Sequence, residues 1–394
     1  MAELFGDKAA LTAVTGDAFK SSLLERMLVT KNLTASYKLY WMRGIFDEVI
    51  AGNEQIPLRR LAARMVSKAW YPVTYFRLRL GKDDRIAETA AQAKVACGLD
   101  NDASEEEIVE ALLASDDELL SKGLQDRCRY VQSRMIRPFY EERLAKERHR
   151  LGLTSRKFDG RVDHLIIEYN RQNTAGAPYR FLIGEDAIAV DRDWAGYFRD
   201  NKHVISGWLD LQLINFLQAR NPSVPAIPLK IRPPKQRNLR EAKRWWSDVQ
   251  SDHVIFDIYS GRQFTIENCD RYGPLSLDHF IPWSFVLHDE PWNLIPMFRN
   301  INSSKSDMLP RMDDYFQPFC DQQFDALMTI KERGRYKNHR SVIDSYISID
   351  SQVLSYDRTN GSRESFSQSI SQVIMPLYQI AFNQGFPIWD MGIS

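Results

Sequence analysis

The sequence predicts an α+β chain that is mainly α: a helical N-terminal domain, a small mixed α/β middle region, and a strand–loop–strand–helix finger embedded in a helical C-terminal domain. Three observations predict it. Through much of residues 1–150 and 311–394, apolar residues recur at three- and four-residue steps, the period of an amphipathic helix. Strand-like runs appear in the middle, at HLIIEY (164–169) and YRFLIG (179–184), and again around position 280. Between them, NPSVPAIPLKIRPPK (221–235) holds five prolines, which helix interiors and central strands reject, so it reads as an extended connector.

The elements follow in order. SYKLYWMRGIFDEVI (36–50) and PLRRLAARMVSKAW (57–70) are amphipathic helices, the second ended by Pro72. Ser104 with Glu107, ahead of IVEALL, forms a capping box, and Ser115 with Glu118 repeats the pattern before a charged segment reaching Arg150. Residues 1–150 thus read as one helical domain. NTAGAP supplies the turn between the two strand-like runs, and a helix from Ser206 to Ala219 leads to the connector, making 151–235 the middle region. QRNLREAKRWWSDVQ opens the last region, 236–394, as a helix, and SRESFSQSISQVIMPLYQIAF (362–382) is its longest amphipathic run.

Composition narrows the class. The 394 residues suggest two or three domains at roughly 100–200 residues each. With 44% hydrophobic and 26% charged residues the chain is a folded protein and not a disordered one. No apolar run approaches the roughly 20 residues of a membrane helix, and the opening MAELFGDKAALTAVTGDAFK lacks a basic start followed by an apolar run, so a cytoplasmic protein with no membrane partner is expected. Cys97, Cys128, Cys269 and Cys320 lie far apart with no C-x-x-C spacing, which indicates neither a zinc knuckle nor a disulfide framework. Lys plus Arg and Asp plus Glu each total 52, so attraction to a polyanion must be local. The most basic stretch is Lys230, Arg232, Lys235, Arg237, Arg240, Lys243 and Arg244, opposed only by Glu241. It reads either as a solvated face or as a phosphate-contacting surface; Trp245 and Trp246 beside it read as core.

Asp-His occurs three times, at Asp163–His164, Asp252–His253 and Asp278–His279. Only the third is followed by Pro282, Asn293, Asn302 and Lys305. LSLDHFI reads as a strand ending near this pair, PWSFVLHDEPW as a loop, NLIPM as a second strand, and Asn300 to Met308 as a helix with Ser304 and Asp307 in a capping box and Pro310 as its stop. A hairpin clasped against a helix brings Asp278, His279 and Asn302 together.

This segment resembles the HNH endonuclease motif, the ββα-metal finger, with spacing similar to that of the HNH domain in RNA-guided CRISPR nucleases, including the Lys-Ser-Asp after the last Asn. IYSGRQF (258–264) resembles the turn and hairpin that precede it, and the likeness spans about 253–310. The resemblance implies that Asp278 and Asn302 ligate one divalent ion, Mg²⁺ or Mn²⁺, that His279 is the general base, that Asn293 braces the loop and the histidine backbone, and that Lys305 lies near the phosphates. Arg262, Arg271 and Arg299 near the motif are candidates to clamp a phosphate. Where many relatives place two Cys pairs on zinc, this chain has Asp257, Ser260, Phe298 and Ile301, so no structural zinc is expected and packing must hold the finger.

The residue types suit phosphodiester hydrolysis. A neutral His with a pKa near 6.5 takes a water proton at cellular pH, and a carboxylate with an amide oxygen makes a hard, incomplete shell that suits Mg²⁺ or Mn²⁺ better than zinc. The resemblance implies a reaction that leaves a 5′-phosphate and a 3′-hydroxyl. The resemblance implies an endonuclease acting on DNA, double-stranded in the first instance, and a large N-terminal half of this kind is similar to what restriction and anti-phage systems carry, where a protein activator is a natural partner. Two rivals stand beside it: a non-catalytic nucleic-acid-binding adaptor that retains the finger, and an RNA-cleaving enzyme.

Overall fold

The computed structural model describes residues 16–28, 33, 35–82, 84–234 and 237–391. The chain divides into two compact units, residues 1–222 with 227–234, and residues 223–226 with 235–394. It is an α+β protein, mainly α, with a few small antiparallel sheets.

The first unit contains α1 (Ala18–Leu28), α2 (Tyr37–Ile50), β1 (Gln55–Pro57), α3 (Leu58–Trp70), α4 (Ile86–Cys97), α5 (Glu105–Ala114), α6 (Glu118–Cys128), α7 (Val131–Arg134), α8 (Glu141–Leu151), α9 (Ser155–Gln172), β2 (Tyr179–Phe181), β3 (Ala187–Val190), α10 (Arg192–Asp200) and α11 (Lys202–Arg220). Its core forms where α2 meets α3: Trp41, Met42, Ile45 and Val49 face Leu61, Ala62, Met65 and Val66, all fully buried. A Cβ at Gly44 would sit 3.3 Å from the Arg64 Cβ, so the small residue sets how closely these helices cross. Glu48 is buried in the same interface and takes hydrogen bonds from Arg60 (2.8 Å), Arg64 (2.6 Å) and Asn53 (2.8 Å), the partners that burying a carboxylate demands.

Several expectations shift here. The Ser104–Glu107 capping box is present at the start of α5, but Ser115 does not cap α6; Asp117 does, accepting the Leu120 N–H at 2.7 Å. Pro72 does not end the helical path, which passes into a π-helical turn over Tyr71–Tyr75. HLIIEY is not a strand but the interior of α9, whose buried residues Phe158, Val162, Ile166 and Tyr169 recur every three or four positions. The six-residue window hides a helical period that its upstream neighbours complete. YRFLIG does contain a strand, β2, which pairs with β3. Because β1 pairs with the other edge of β3, residues 55–57 and 179–190 share one sheet, and the middle region is continuous with the helices before it.

The second unit contains α12 (Arg240–Gln250), β4 (Phe256–Asp257), β5 (Arg262–Gln263), α13 (Ile266–Tyr272), β6 (Leu275–His279), α14 (Trp283–Val286), β7 (Leu294–Phe298), α15 (Arg299–Lys305), α16 (Met312–Glu332), α17 (Arg340–Ile349) and α18 (Asn360–Asn383). α12 buries Ala242, Trp245, Trp246 and Val249 and exposes Arg240, Lys243 and Arg244 on its other side. β6 and β7 pair antiparallel from Leu275 opposite Phe298 to His279 opposite Leu294. α16 backs this hairpin: Phe319 stacks on Phe280 at 4.2 Å, and Gln323 donates to the Leu294 carbonyl at 3.0 Å. The helix after β7 ends at Lys305, earlier than expected, because Ser306 adopts φ +47°. Ser304 therefore caps nothing and instead accepts the Trp389 indole N–H at 3.3 Å. Among the described residues, no helix is long and apolar enough to cross a membrane.

Candidate active site

The hairpin of β6 and β7 and the short α15 enclose a cleft of about 280 Å³ lined by Asp278, His279, Asn302, Arg299, Arg237 and Trp283, among others. Three of the sequence-predicted residues, Asp278, His279 and Asn302, thus share one cavity although 24 positions separate the first from the last.

Asn293 holds the loop that leaves β6. Its side-chain oxygen accepts the Ile281 N–H at 2.8 Å, its amide donates to the Ile281 carbonyl at 2.9 Å, and its backbone carbonyl accepts the Phe280 N–H at 2.8 Å. A fully buried amide satisfied in both directions fixes the backbone just after His279.

His279 is oriented by a residue that the sequence reading missed. Its Nε2 lies 2.9 Å from Asp289 Oδ1, while Asp289 Oδ2 accepts the Asn238 N–H at 2.8 Å. Burial raises the Asp289 carboxyl, but the hydrogen bonds from His279 and Asn238 and the nearby charges hold it below its usual value. An ionised carboxylate only accepts, so Nε2 carries the proton and Nδ1 keeps its lone pair. Burial pushes the His279 pKa down, outweighing the bond to Asp289 that raises it, so the ring is neutral at pH 7.

Asp278 is held from two sides. Lys305 donates to Oδ1 at 3.1 Å and the Tyr259 hydroxyl donates to Oδ2 at 2.9 Å. Burial and the Asp278 charge hold the Tyr259 pKa far above its usual value, so it stays a donor. Lys305 corrects an expectation: its ammonium is fully buried, paired with Asp278 and donating to the His279 carbonyl at 2.9 Å, and so cannot reach a phosphate outside.

Asn302 donates through Nδ2 to Ser276 Oγ at 3.0 Å and to the Leu277 carbonyl at 3.1 Å. A carbonyl can only accept, so these bonds fix the amide orientation and leave Oδ1 as a free acceptor. With the remaining lone pairs of Asp278, this offers hard oxygen donors in a cleft wide enough for water, which fits Mg²⁺ or Mn²⁺. Among the described residues, no group of three or more His, Cys, Asp and Glu is placed to hold a metal.

The finger's brace is a carboxylate. Asp257 is fully buried and accepts the backbone N–H groups of Tyr259 (2.9 Å), Ser260 (3.0 Å) and Phe298 (2.8 Å). With no zinc expected, packing was expected to hold the finger. Packing contributes, with the Phe264 and Phe298 rings 4.5 Å apart, but one side chain ties the turn before the finger to the end of β7. Both Tyr259 and Asp257 lie in or beside IYSGRQF, so the quoted hairpin carried the signal although no role was assigned to either residue.

The basic residues separate. Arg237 and Arg299 line the cleft, with the Arg237 guanidinium 5.1 Å from the Trp283 ring centre. Gly273 permits this layout: at φ +87° a Cβ would meet Asn300 Oδ1 at 2.9 Å, so only glycine lets the loop pass so close to α15. Arg262 and Arg271 lie outside the cleft lining, each near the Tyr272 ring at 5.2 Å. Arg240, Lys243 and Arg244 are exposed on α12. Lys230 is a correction: it is fully buried in the first unit, where burial pushes its pKa down to about 7, and it offers no surface to a polyanion. Arg232, in the same unit, pairs with Asp210, and Lys235 lies outside the described residues.

Residues 257–311 match the family model of the HNH endonucleases. The HNH match covers the brace, the hairpin and α15, and the N-terminal half has no family match. Neither a curated protein nor a solved structure matches the chain. An HNH segment points to nuclease activity on a nucleic acid, and HNH nucleases generally use a divalent metal ion.

Proposed function

We propose that this protein is a metal-dependent endonuclease that hydrolyses phosphodiester bonds of double-stranded DNA. The observation that carries the reading is His279, its Nε2 held 2.9 Å from Asp289, in the same cleft as Asp278 and Asn302, whose amide donates to the Leu277 carbonyl and so leaves Oδ1 open. A structural finger needs no such base.

In this reading His279 accepts the proton of the attacking water at Nδ1, while Asp289 keeps the ring in the required tautomer and steadies the charge it gains. Asp278 and Asn302 hold Mg²⁺ or Mn²⁺, which when bound stabilises charge on the phosphate. Tyr259 and Lys305 keep Asp278 in place, and Asn293 fixes the backbone of the loop. Arg237 and Arg299 face the phosphates at the rim; with the exposed α12 cations they provide positioning contacts that carry no base readout. The first unit selects targets or restrains the activity, and a role in restriction or anti-phage defence, with a protein activator, is the biological setting we favour by analogy.

The test is cleavage of supercoiled plasmid, of linear duplex and of single-stranded RNA with Mg²⁺ or Mn²⁺, alongside His279→Ala and Asn302→Ala. Cleavage of DNA by the parent and its loss in both variants supports the proposal. Equal cutting by the variants removes the site assignment, and cleavage of RNA alone replaces the substrate.

A further inference from the structure

The first unit has a cleft of about 550 Å³ where the end of α6 and α7 meet the starts of α2 and α4, lined by Arg85, Arg127, Arg129 and Arg134 with the rings of Tyr37 and Tyr130. We propose that this cleft is a second phosphate-recognition site, in which the arginines take the phosphate of a nucleotide, free or within a strand, and Tyr130 walls the sugar or base.

The charges support an anionic ligand. Two aspartates also line the cleft, Asp84 and Asp126. Asp84 is engaged elsewhere, accepting the Ser36 N–H at 2.7 Å, the Ser36 hydroxyl at 2.5 Å and the Ile86 N–H at 3.1 Å. Arg134 is anchored by Asp163 at 3.3 Å and Asp159 at 3.6 Å, which makes it a fixed wall. Arg129 is exposed, and among the described residues its guanidinium makes no hydrogen bond or ion pair, only a ring contact to Tyr130 at 5.3 Å. Arg85 is exposed and reaches Glu88 only at 3.7 Å. Burial lowers the pKa of Arg127; Arg85 adds to the effect, and Asp126, Asp84 and Glu88 oppose it.

The shape suits a nucleotide. The volume falls within the roughly 300–1,000 Å³ of small-molecule sites. Guanidinium forks match phosphate oxygens two at a time, and Tyr130, 48% exposed, supplies an apolar wall. A neighbouring cleft of about 470 Å³ shares Asp126 and Arg129 and adds Arg59 and Asp186. The local sequence DRCRYVQSRMIR (126–137) sets four arginines against one aspartate.

The proposal stands apart from the nuclease reading, and its test runs without divalent metal so that cleavage is silent. The full chain is titrated into a fluorescent ATP analogue and, separately, a labelled single-stranded 12-nucleotide DNA, with Arg85→Ala/Arg129→Ala and Arg85→Lys/Arg129→Lys alongside. Both arginines are exposed, so the variants should fold, and circular dichroism checks this. The expected result is binding that weakens at least tenfold in the alanine variant and partly returns with lysine. For the strand, the salt slope should also fall by about 1.4, or about 0.7 for each lost contact. Binding of the nucleotide alone assigns the site to free nucleotides, and binding of the strand assigns it to nucleic acid; either supports the proposal. No binding of either probe, affinities unchanged by the alanine pair, or displacement by polyglutamate as effective as by pyrophosphate would overturn it.

Discussion

Asp289→Asn is the perturbation from which the geometry predicts most. The carboxylate accepts from His279 Nε2 at 2.9 Å and from the Asn238 N–H at 2.8 Å, so it presents an acceptor in both directions. An amide has one oxygen and one NH₂ group. If the oxygen keeps Asn238, the NH₂ faces Nε2 and favours the tautomer with the proton on Nδ1, the atom that must be free. A charge-assisted hydrogen bond is worth about 1.5–3 kcal/mol, which at about 1.4 kcal/mol per decade corresponds to a rate loss of about ten- to 150-fold. The pH dependence has a definite sign. His279 is a base whose folded pKa lies below the ordinary value of 6.5, so the active neutral ring is present above that folded pKa and is lost as pH falls through it. Asp289 raises this pKa, so removing its charge moves the acid limb of kcat/KM to still lower pH while the plateau drops. Steady-state cleavage of a labelled duplex from pH 5 to 8, with KM and kcat separated, measures both effects. A plateau within twofold of the parent, or a limb that moves upward, would refute the reasoning.

Asp257→Ala leaves three backbone N–H groups without their acceptor, that of Phe298 deeply buried, and should cost about 3–5 kcal/mol. At roughly 2–4 °C per kcal/mol for a unit of this size, calorimetry should show Tm about 6–20 °C lower, and a shift under 2 °C would contradict the brace. Lys305→Met strands the Asp278 carboxylate with Tyr259 and should destabilise by about 3–5 kcal/mol while leaving the salt dependence of DNA binding unchanged. Arg299→Ala should do the reverse, keeping Tm and lowering the salt slope by about 0.9. Thermal melts and salt titrations of both variants check the pair, and a reduced slope for Lys305→Met would restore that residue to the phosphates.

The finger was legible because its spacing is local. Asp278, His279, Asn293 and Asn302 lie on a strand, a loop and a helix of predictable kind, and each link is short, so sequence order largely dictates who meets whom. The partners of these residues were less legible. Asp289 sits in an aperiodic loop, where an acid ordinarily reads as solvated, and only the path of that loop back to β6 gives it a role. Lys305 illustrates the same limit from the other side: the resemblance put it near the phosphates, and its burial follows from an ion pair with Asp278, 27 positions earlier. Lys230 read as part of a basic run because charge was counted along the chain, whereas the fold puts it inside. HLIIEY failed for a different reason, since six residues are too few to separate a strand from one face of a helix.

The central claim is that Asp278 and Asn302 grip one divalent ion beside His279. Anomalous scattering from a crystal soaked in Mn²⁺ tests it most directly. The account predicts one strong peak in the cleft, bonded to an Asp278 oxygen and to Asn302 Oδ1 with His279 Nδ1 facing a bound water. A peak elsewhere with that cleft empty, or an ion touching neither side chain, would contradict it.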